Sequence, residues 1–306
     1  MNPARDRSAA GSNRIWRAGS REIVLDHPLV VGILNVTPDS FTDGGNFFSP
    51  DAAMLHAEAM IADGVDLIDV GGESTRPGAI SIEAADEATR VVPVIRAIRE
   101  RWPSMPLSID TVKSDVAKAA LDAGADIIND VSAMRLDPAM AILAGNSGCG
   151  VVLMHSRGDV ATMATYQHAR YDDVASEVLT ELGSQLVAAE NAGVDRSAVV
   201  LDPGFGFAKR SEHSMRLLHD LERFAAYNVP VMVGVSRKRF VAEAMRQKAG
   251  PESTQPATWA IDDRDSGTAA VNVMALERGA TLFRVHNVRV NRRALDAAWS
   301  ILTETV

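Results

Sequence analysis

The chain holds one cysteine, Cys149, among 306 residues. A lone thiol cannot close an internal disulfide, which fits a reducing cytoplasm, and it reads as a small buried apolar residue rather than a nucleophile. No apolar run approaches the ~20 residues needed to cross a bilayer. Basic residues are in deficit, 31 Lys and Arg against 40 Asp and Glu, for a formal net charge of −9. That balance excludes a nucleic-acid surface as the main business of the chain, and "SRKR" at 236–239 is too short to reverse it. Zinc-ligand spacing is missing, since "MHSRGD" has no second histidine at i+4. No G-x-S-x-G nucleophile motif is present, and "GVSRK" resembles it only in part. "DPGFGF" lacks the third glycine of a dinucleotide loop, so it reads as a turn presenting an aromatic ring. Residues 1–20 are rich in Arg, Ser and Ala but have no apolar signal core, and they read as a flexible tail.

What the chain does have is a rhythm. Hydrophobic residues make up 46% of it, enough for one large core. Short β-branched runs occur at 29–36, 65–72, 106–111, 126–131, 150–155, 198–204, 229–236 and 281–287. They are apolar throughout rather than alternating, as expected of parallel strands covered on both faces. Helical patterns lie between them at 49–64, 81–101, 113–124, 172–193 and 211–227. The first has Ser49 as N-cap and Pro50 just inside; Gly64 and Gly124 close two of them. Eight recurrent βα units with no break in composition predict one domain over 21–306, a TIM (β/α)8 barrel in the α/β class. An open doubly wound sheet is the alternative, without the Gly-rich first turn it usually carries. "RIWRAGSREIVLDHP", before residue 29, predicts a hairpin at the barrel bottom. The Pro- and polar-rich stretch 249–266 predicts a loop or insertion.

Each predicted strand begins apolar and ends polar. The ends carry Asn35, then Gly72 to Arg76, Asp110, Asn129 with Asp130, His155, Asp202, Ser236 to Lys238, and Arg284 with His286. In parallel strands these ends share one rim, where active sites of this fold are built. Any one of them has a plainer use, as a helix cap or a loop tether, and Asp110 before Thr111 also reads as a cap. Together they describe a site. Asp110, Asp202 and Asn129 suit a flat heterocycle offering adjacent N–H donors, because a carboxylate accepts two parallel bonds. Arg284, His286 and the Asn35 loop suit phosphate. Mg²⁺ held by an amide oxygen and the phosphates themselves fits that set. Ser236 opens the helix after the seventh strand, where free N–H groups favour a carboxylate.

The motifs "NVTPDSFTDGG", "GGESTRPG", "SIDT", "INDV", "LDPGFGF", "GVSRK" and "RVH", in this order, resemble dihydropteroate synthase of the bacterial folate pathway over roughly residues 29–300. The resemblance implies a cytoplasmic, homodimeric TIM-barrel transferase, the sulfonamide target. Such an enzyme condenses 6-hydroxymethyl-7,8-dihydropterin pyrophosphate with p-aminobenzoate and releases pyrophosphate. It implies that Asp110, Asn129, Asp202 and Lys238 hold the pterin. Asn35, Arg284 and His286 would hold the pyrophosphate, with Mg²⁺ attached through Asn35. Loops after the first two strands would bring in Asp43, Thr75 and Arg76. Phe207, Pro77 and Ser236, beside Arg237, would form the p-aminobenzoate pocket. Asp43, Lys238, Arg284 and His286 would act in catalysis. The chain departs from the family pattern at Ala208, Arg239, Ser156 and Asn287, the last bearing on how His286 is oriented or charged. The alternatives are an inactive pterin-binding paralogue, a corrinoid-type pterin methyltransferase, and an aldolase using Lys238 as a Schiff base.

Overall fold

Stretches of Val, Ile and Leu too short for helices set the strands of this protein, and the computed structural model describes residues 15–37, 50–74, 81–246 and 261–304. A hairpin comes first, β1 (Ile15–Ala18) and β2 (Arg21–Val24). Then follow β3 (Leu29–Asn35), α1 (Pro50–Ala62), β4 (Leu67–Gly71), α2 (Ala84–Arg101), β5 (Leu107–Asp110), α3 (Ser114–Asp122) and β6 (Ile127–Asp130). The second half holds α4 (Pro138–Ser147), β7 (Gly150–Met154), α5 (Val174–Asn191), β8 (Val199–Asp202), α6 (Ser211–His219) and β9 (Met232–Val233). It closes with α7 (Arg239–Arg246), α8 (Ile261–Glu277), β10 (Leu282–Val285) and α9 (Val288–Thr303). Strands β3 to β10 form one parallel sheet in the order β8-β7-β6-β5-β4-β3-β10-β9. A parallel bridge from Leu201 to Val231 joins its two ends, closing the expected barrel.

Strand parity decides which residues meet. Outward-facing Val30, Leu34, Ile68, Val70, Ile109, Ile128, Val151, Leu201 and Phe283 join the core beneath the helices. The opposite set points into the barrel. Near the strand starts Leu29, Val31, Leu67, Ile127, Val152, Val200, Met232 and Leu282 pack around Trp16. Trp16 is wholly buried and donates its indole N–H to Ala198 O at 2.8 Å. The hairpin therefore seals the lower end, as expected, and the next inward residues along the strands are free to be polar. Its first strand begins at Ile15, so the tail boundary at residue 20 is corrected: residues 15–20 belong to the hairpin and its Gly19-Ser20 turn. The rest of the predicted tail lies outside the described residues.

Gly64 and Gly124 both end helices at positive φ, +86° and +111°, as predicted. Two other expectations change. The seventh barrel strand shrinks to Met232–Val233, because the chain turns away through Gly234 to reach Lys238. Residues 261–266 are not loop but the first turns of α8, where a buried Asp265 turns a polar sequence into a core-facing helix. Cys149 is buried, and burial raises its thiol above the ordinary value. Among the described residues no helix is long and apolar enough to cross a membrane.

At the bottom of the barrel His27 sits between Asp66 and Asp26. Hydrogen bonds to Asp66 and Asp26 raise its pKa to about 9, against burial. The folded value lies above the ordinary 6.5, so this pairing stabilises the fold fully below pH 6.5 and is lost as pH rises through 9. The imidazole is 42% exposed, which holds the effect to the ~0.2–1 kcal/mol of a surface pair. Thermal unfolding of His27→Gln should therefore match wild type at pH 9.5 and fall below it at pH ~6. Equal differences at both pH values would refute the assignment.

Candidate active site

The barrel mouth is organised by Asp69 of β4. Its Oδ1 accepts from Ser108 Oγ at 2.5 Å, and its Oδ2 accepts from Arg284 Nε at 2.6 Å and Asn129 Nδ2 at 3.1 Å. Arg284 of β10 reaches across with Nη2 to Asp110 Oδ2 at 2.6 Å. Burial opposes the guanidinium charge, but Asp69 and Asp110 outweigh it and raise its pKa above the ordinary value. Burial pushes the Asp110 carboxyl up to about 7, against the attraction of Arg284, with Asp69 and Glu87 adding to the rise. Gly71 of β4 lies between two side chains of the mouth: a Cβ there would make ordinary contacts, 3.6 Å from Asp110 Cβ and 3.8 Å from Asn35 Oδ1. Asn35, Asp110, Asn129 and Arg284 thus converge on the same end of four strands.

Asp202 ends β8 on the facing side. It is 3% exposed, burial raises its carboxyl pKa, and its Oδ1 accepts from Gly204 N at 2.7 Å. Lys238 donates to Phe205 O and lies 4.6 Å from the centre of the Phe207 ring. Burial pushes its amine down to about 8, with Asp202 opposing and Arg284 adding. That value is one an aldolase lysine would need, yet Lys238 follows the strand rather than lying in it. Its amine is already committed to a carbonyl. Buried Val112, Val131, Met154 and Met163 form an apolar wall against which half-buried Phe207 packs.

Ser236 lies three residues before α7, not at its first turn, so it supplies no helix-end site. Its hydroxyl meets His286 Nδ1 at 2.9 Å and accepts from His286 N at 3.1 Å, which fixes the imidazole. Arg237 has φ +59° and is held by a two-pronged bond to Asp265 at 2.7 and 2.9 Å. Asn287 completes this tether: Nδ2 donates to Asp265, and Oδ1 caps α9 by accepting from Val290 N. The amide at 287 therefore serves Arg237 and the helix start, while Ser236 holds His286 through two hydrogen bonds.

Not every rim residue belongs to the mouth. Asp130 faces outward and accepts from Ser132 and Met134, a loop tether. Asp110 is no helix cap, since it pairs with Arg284 and α3 begins after Lys113. Glu73 accepts from Ile82 N and pairs with Lys113, which also pairs with buried Glu87. His155 turns toward α5 and Glu181. Asp43, Thr75, Arg76 and Pro77 lie outside the described residues. Sequence reading missed Asp69, whose signal was a carboxylate inside an otherwise apolar strand. It also missed Lys209, directly after the aromatic turn.

The turn itself shows why one departure matters. Ala208 adopts φ +47° and donates its N–H to Met163 O at 2.7 Å. A Cβ in the left-handed region costs about 1 kcal/mol, so Ala208→Gly should stabilise the fold by ~0.5–1 kcal/mol. Urea unfolding would read this, and a loss of stability would contradict it.

Residues 31–286 match the pterin binding enzyme family. A dihydropteroate synthase of Mycobacterium leprae (strain TN) is 43% identical over 272 residues, covering 88% of this chain and 93% of that protein. A Xanthomonas albilineans dihydropteroate synthase structure with 4-aminobenzoic acid superposes with a TM-score of 0.86 at 38% identity, covering 96% of this chain and all of that one. The same organism's enzyme in complex with 7,8-dihydropteroate gives 0.81 at 35% identity, covering 95% and 100%. With a mouth of this composition on a barrel of this topology, the chain belongs to the dihydropteroate synthase family of pterin-binding enzymes.

Proposed function

We propose that this enzyme condenses 6-hydroxymethyl-7,8-dihydropterin diphosphate with p-aminobenzoate, giving 7,8-dihydropteroate and diphosphate. The observation that carries the reading is the mouth itself. Asp110, Asn129, Asp202, Lys238 and Arg284 arrive there from five different segments. Ionised Asp110 and Asp202 accept from the N–H edge of the pterin, and Asn129 and Lys238 complete its outline. Arg284 and His286 take the diphosphate. The C–O bond from the pterin methylene to diphosphate breaks with its electron pair leaving on oxygen. The aniline nitrogen forms the new C–N bond and gives up one proton. Positive charge develops on the methylene, and Asp43 supplies the carboxylate that stabilises it. Catalysis is electrostatic and positional, with no covalent enzyme intermediate.

Mg²⁺ fits the donors present. Asn35 offers an amide oxygen beside Gly71, and among the described residues no cluster of three His, Cys, Asp or Glu forms a protein cage. A hard cation that keeps its waters and takes most other ligands from diphosphate suits such a site. When bound, it would neutralise the departing diphosphate. The same reading makes the protein a cytoplasmic homodimer acting on small molecules, with Thr75, Arg76, Pro77, Phe207, Ser236 and Arg237 flanking the substrates.

Steady-state diphosphate release with both substrates tests the proposal. Turnover should need both substrates, stop on chelation and return with added Mg²⁺. Pterin binding without turnover under these conditions would favour a non-catalytic relative.

A further inference from the structure

A lysine the mechanism does not use lies beneath the aromatic turn. Lys209 is 1% exposed, and its Nζ lies 2.8 Å from His155 Nδ1, 3.0 Å from Gly204 O and 3.1 Å from Phe207 O. His155, itself 3% exposed, places Nε2 3.0 Å from Glu181 Oε2 on α5. Glu181 is 41% exposed at its side chain and is held by Arg157, which also binds Glu177 and covers the Tyr171 ring. The chain runs from the surface to the underside of the turn.

Its hydrogens can be counted. With Lys209 as ammonium, three N–H groups meet three acceptors: two carbonyls and Nδ1. His155 then carries its hydrogen on Nε2 and donates to Glu181. Moving one proton from Nζ to Nδ1 keeps every bond. Removing a proton altogether leaves a buried carbonyl without a donor or sets an imidazole lone pair against the Glu181 carboxylate, and either is costly. Lys209 and His155 therefore hold one positive charge between them, balanced by Glu181. Burial pushes Lys209 well below the ordinary amine value, and burial with Lys209 pushes His155 to about 4. Sharing one charge satisfies both.

The turn is gripped from both sides. Lys209 takes the carbonyls of Gly204 and Phe207, while Lys238 takes that of Phe205 between them. Gly204 has φ +69° and presses on the strand below, where a Cβ would stand 1.9 Å from His155 O. Asp202 and Asn129 are carried by strands, whereas the backbone of Phe207 is set by the turn, which delivers its ring to the apolar wall of Val112, Val131, Met154 and Met163.

We propose that Lys209, His155 and Glu181 form a positioning unit that sets the Gly204–Phe207 turn and so aligns Phe207 for the aromatic amine. The assignment rests on the function proposed above. The test is steady-state kinetics of Lys209→Met and Glu181→Ala, with thermal unfolding of each. KM for p-aminobenzoate should rise about tenfold in K209M and about threefold in E181A, with kcat and pterin KM within about twofold of wild type. Amine KM values within about twofold of wild type in both variants would overturn the assignment. So would parallel losses in both KM values and kcat that simply track stability. If K209M does not fold, E181A at the exposed end decides alone. A wild-type chain that turns nothing over overturns the functional reading, and this assignment with it, before any variant is compared.

Discussion

Arg284→Met is expected to lower kcat/KM for diphosphate release by about 10³-fold, the loss of a whole preorganised cation rather than a single donor. The guanidinium has one job seen in the structure and one proposed for it. It spans Asp69 and Asp110 at 2.6 Å each, and in the proposed reaction it takes the departing diphosphate. Methionine fills similar volume but leaves two buried carboxylates facing each other, so about 3–5 kcal/mol of stability should also be lost. Asp110 already sits at about 7 with Arg284 present, and without it the carboxyl would hold its proton further into the neutral range. A protonated Asp110 no longer offers the two-acceptor edge a pterin needs. Arg284→Lys separates the two jobs: it keeps the charge but cannot fork across both carboxylates, and should cost about 10²-fold. Steady-state kinetics at pH 7.5 and 9 check both. If Arg284→Met stays within about tenfold of wild type, Arg284 is a structural bridge and another group carries the diphosphate.

Period-two geometry explains how much of this site could be read from sequence. Asn35, Asp110, Asn129, Asp202 and Arg284 each end an apolar run; Asn35, Asn129, Asp202 and Arg284 share parity with the inward residues around Trp16, and Asp110 shares it with Ser108, which bonds Asp69 inside the barrel. Strand sequence and site sequence were therefore one pattern. Asp130 and His155 sit one residue out of phase with that pattern, so they share the rim but face the helices. Counting polar ends found the rim; counting phase separates mouth from helix face. Asp69 escaped because it lies mid-run in "DLIDVGG", where a carboxylate gives no terminal signal. Its partners Ser108, Asn129 and Arg284 are 39, 60 and 215 positions away. Lys209 escaped for the same reason: its meaning lies in His155, 54 residues earlier. The start of helix α8 is hidden in the sequence because a Pro-rich stretch runs straight into the polar "IDDRDS". Asp265 looks like a surface residue until Arg237 and Asn287 are placed against it.

Asp69 supplies the sharpest separation of charge from geometry. It is 1% exposed and accepts three hydrogen bonds, so Asp69→Ala orphans Ser108 Oγ, Asn129 Nδ2 and Arg284 Nε at once. Loss of a buried partner of this kind should cost about 3–5 kcal/mol and about 10²–10³-fold in kcat/KM. Asparagine meets the same neighbours differently. Its oxygen can take the Oδ2 position and accept from Arg284 and Asn129, while its NH₂ donates to a rotated Ser108 hydroxyl. Every bond survives and only the charge is lost. Arg284 then pairs with Asp110 alone, which favours the ionised Asp110 that the proposed pterin contact uses. Asp69→Asn should therefore retain activity to within about tenfold of wild type, while Asp69→Ala does not. Equal losses in the two variants, measured as kcat/KM on folded protein, would show that the negative charge of Asp69, not its acceptor geometry, assembles the mouth.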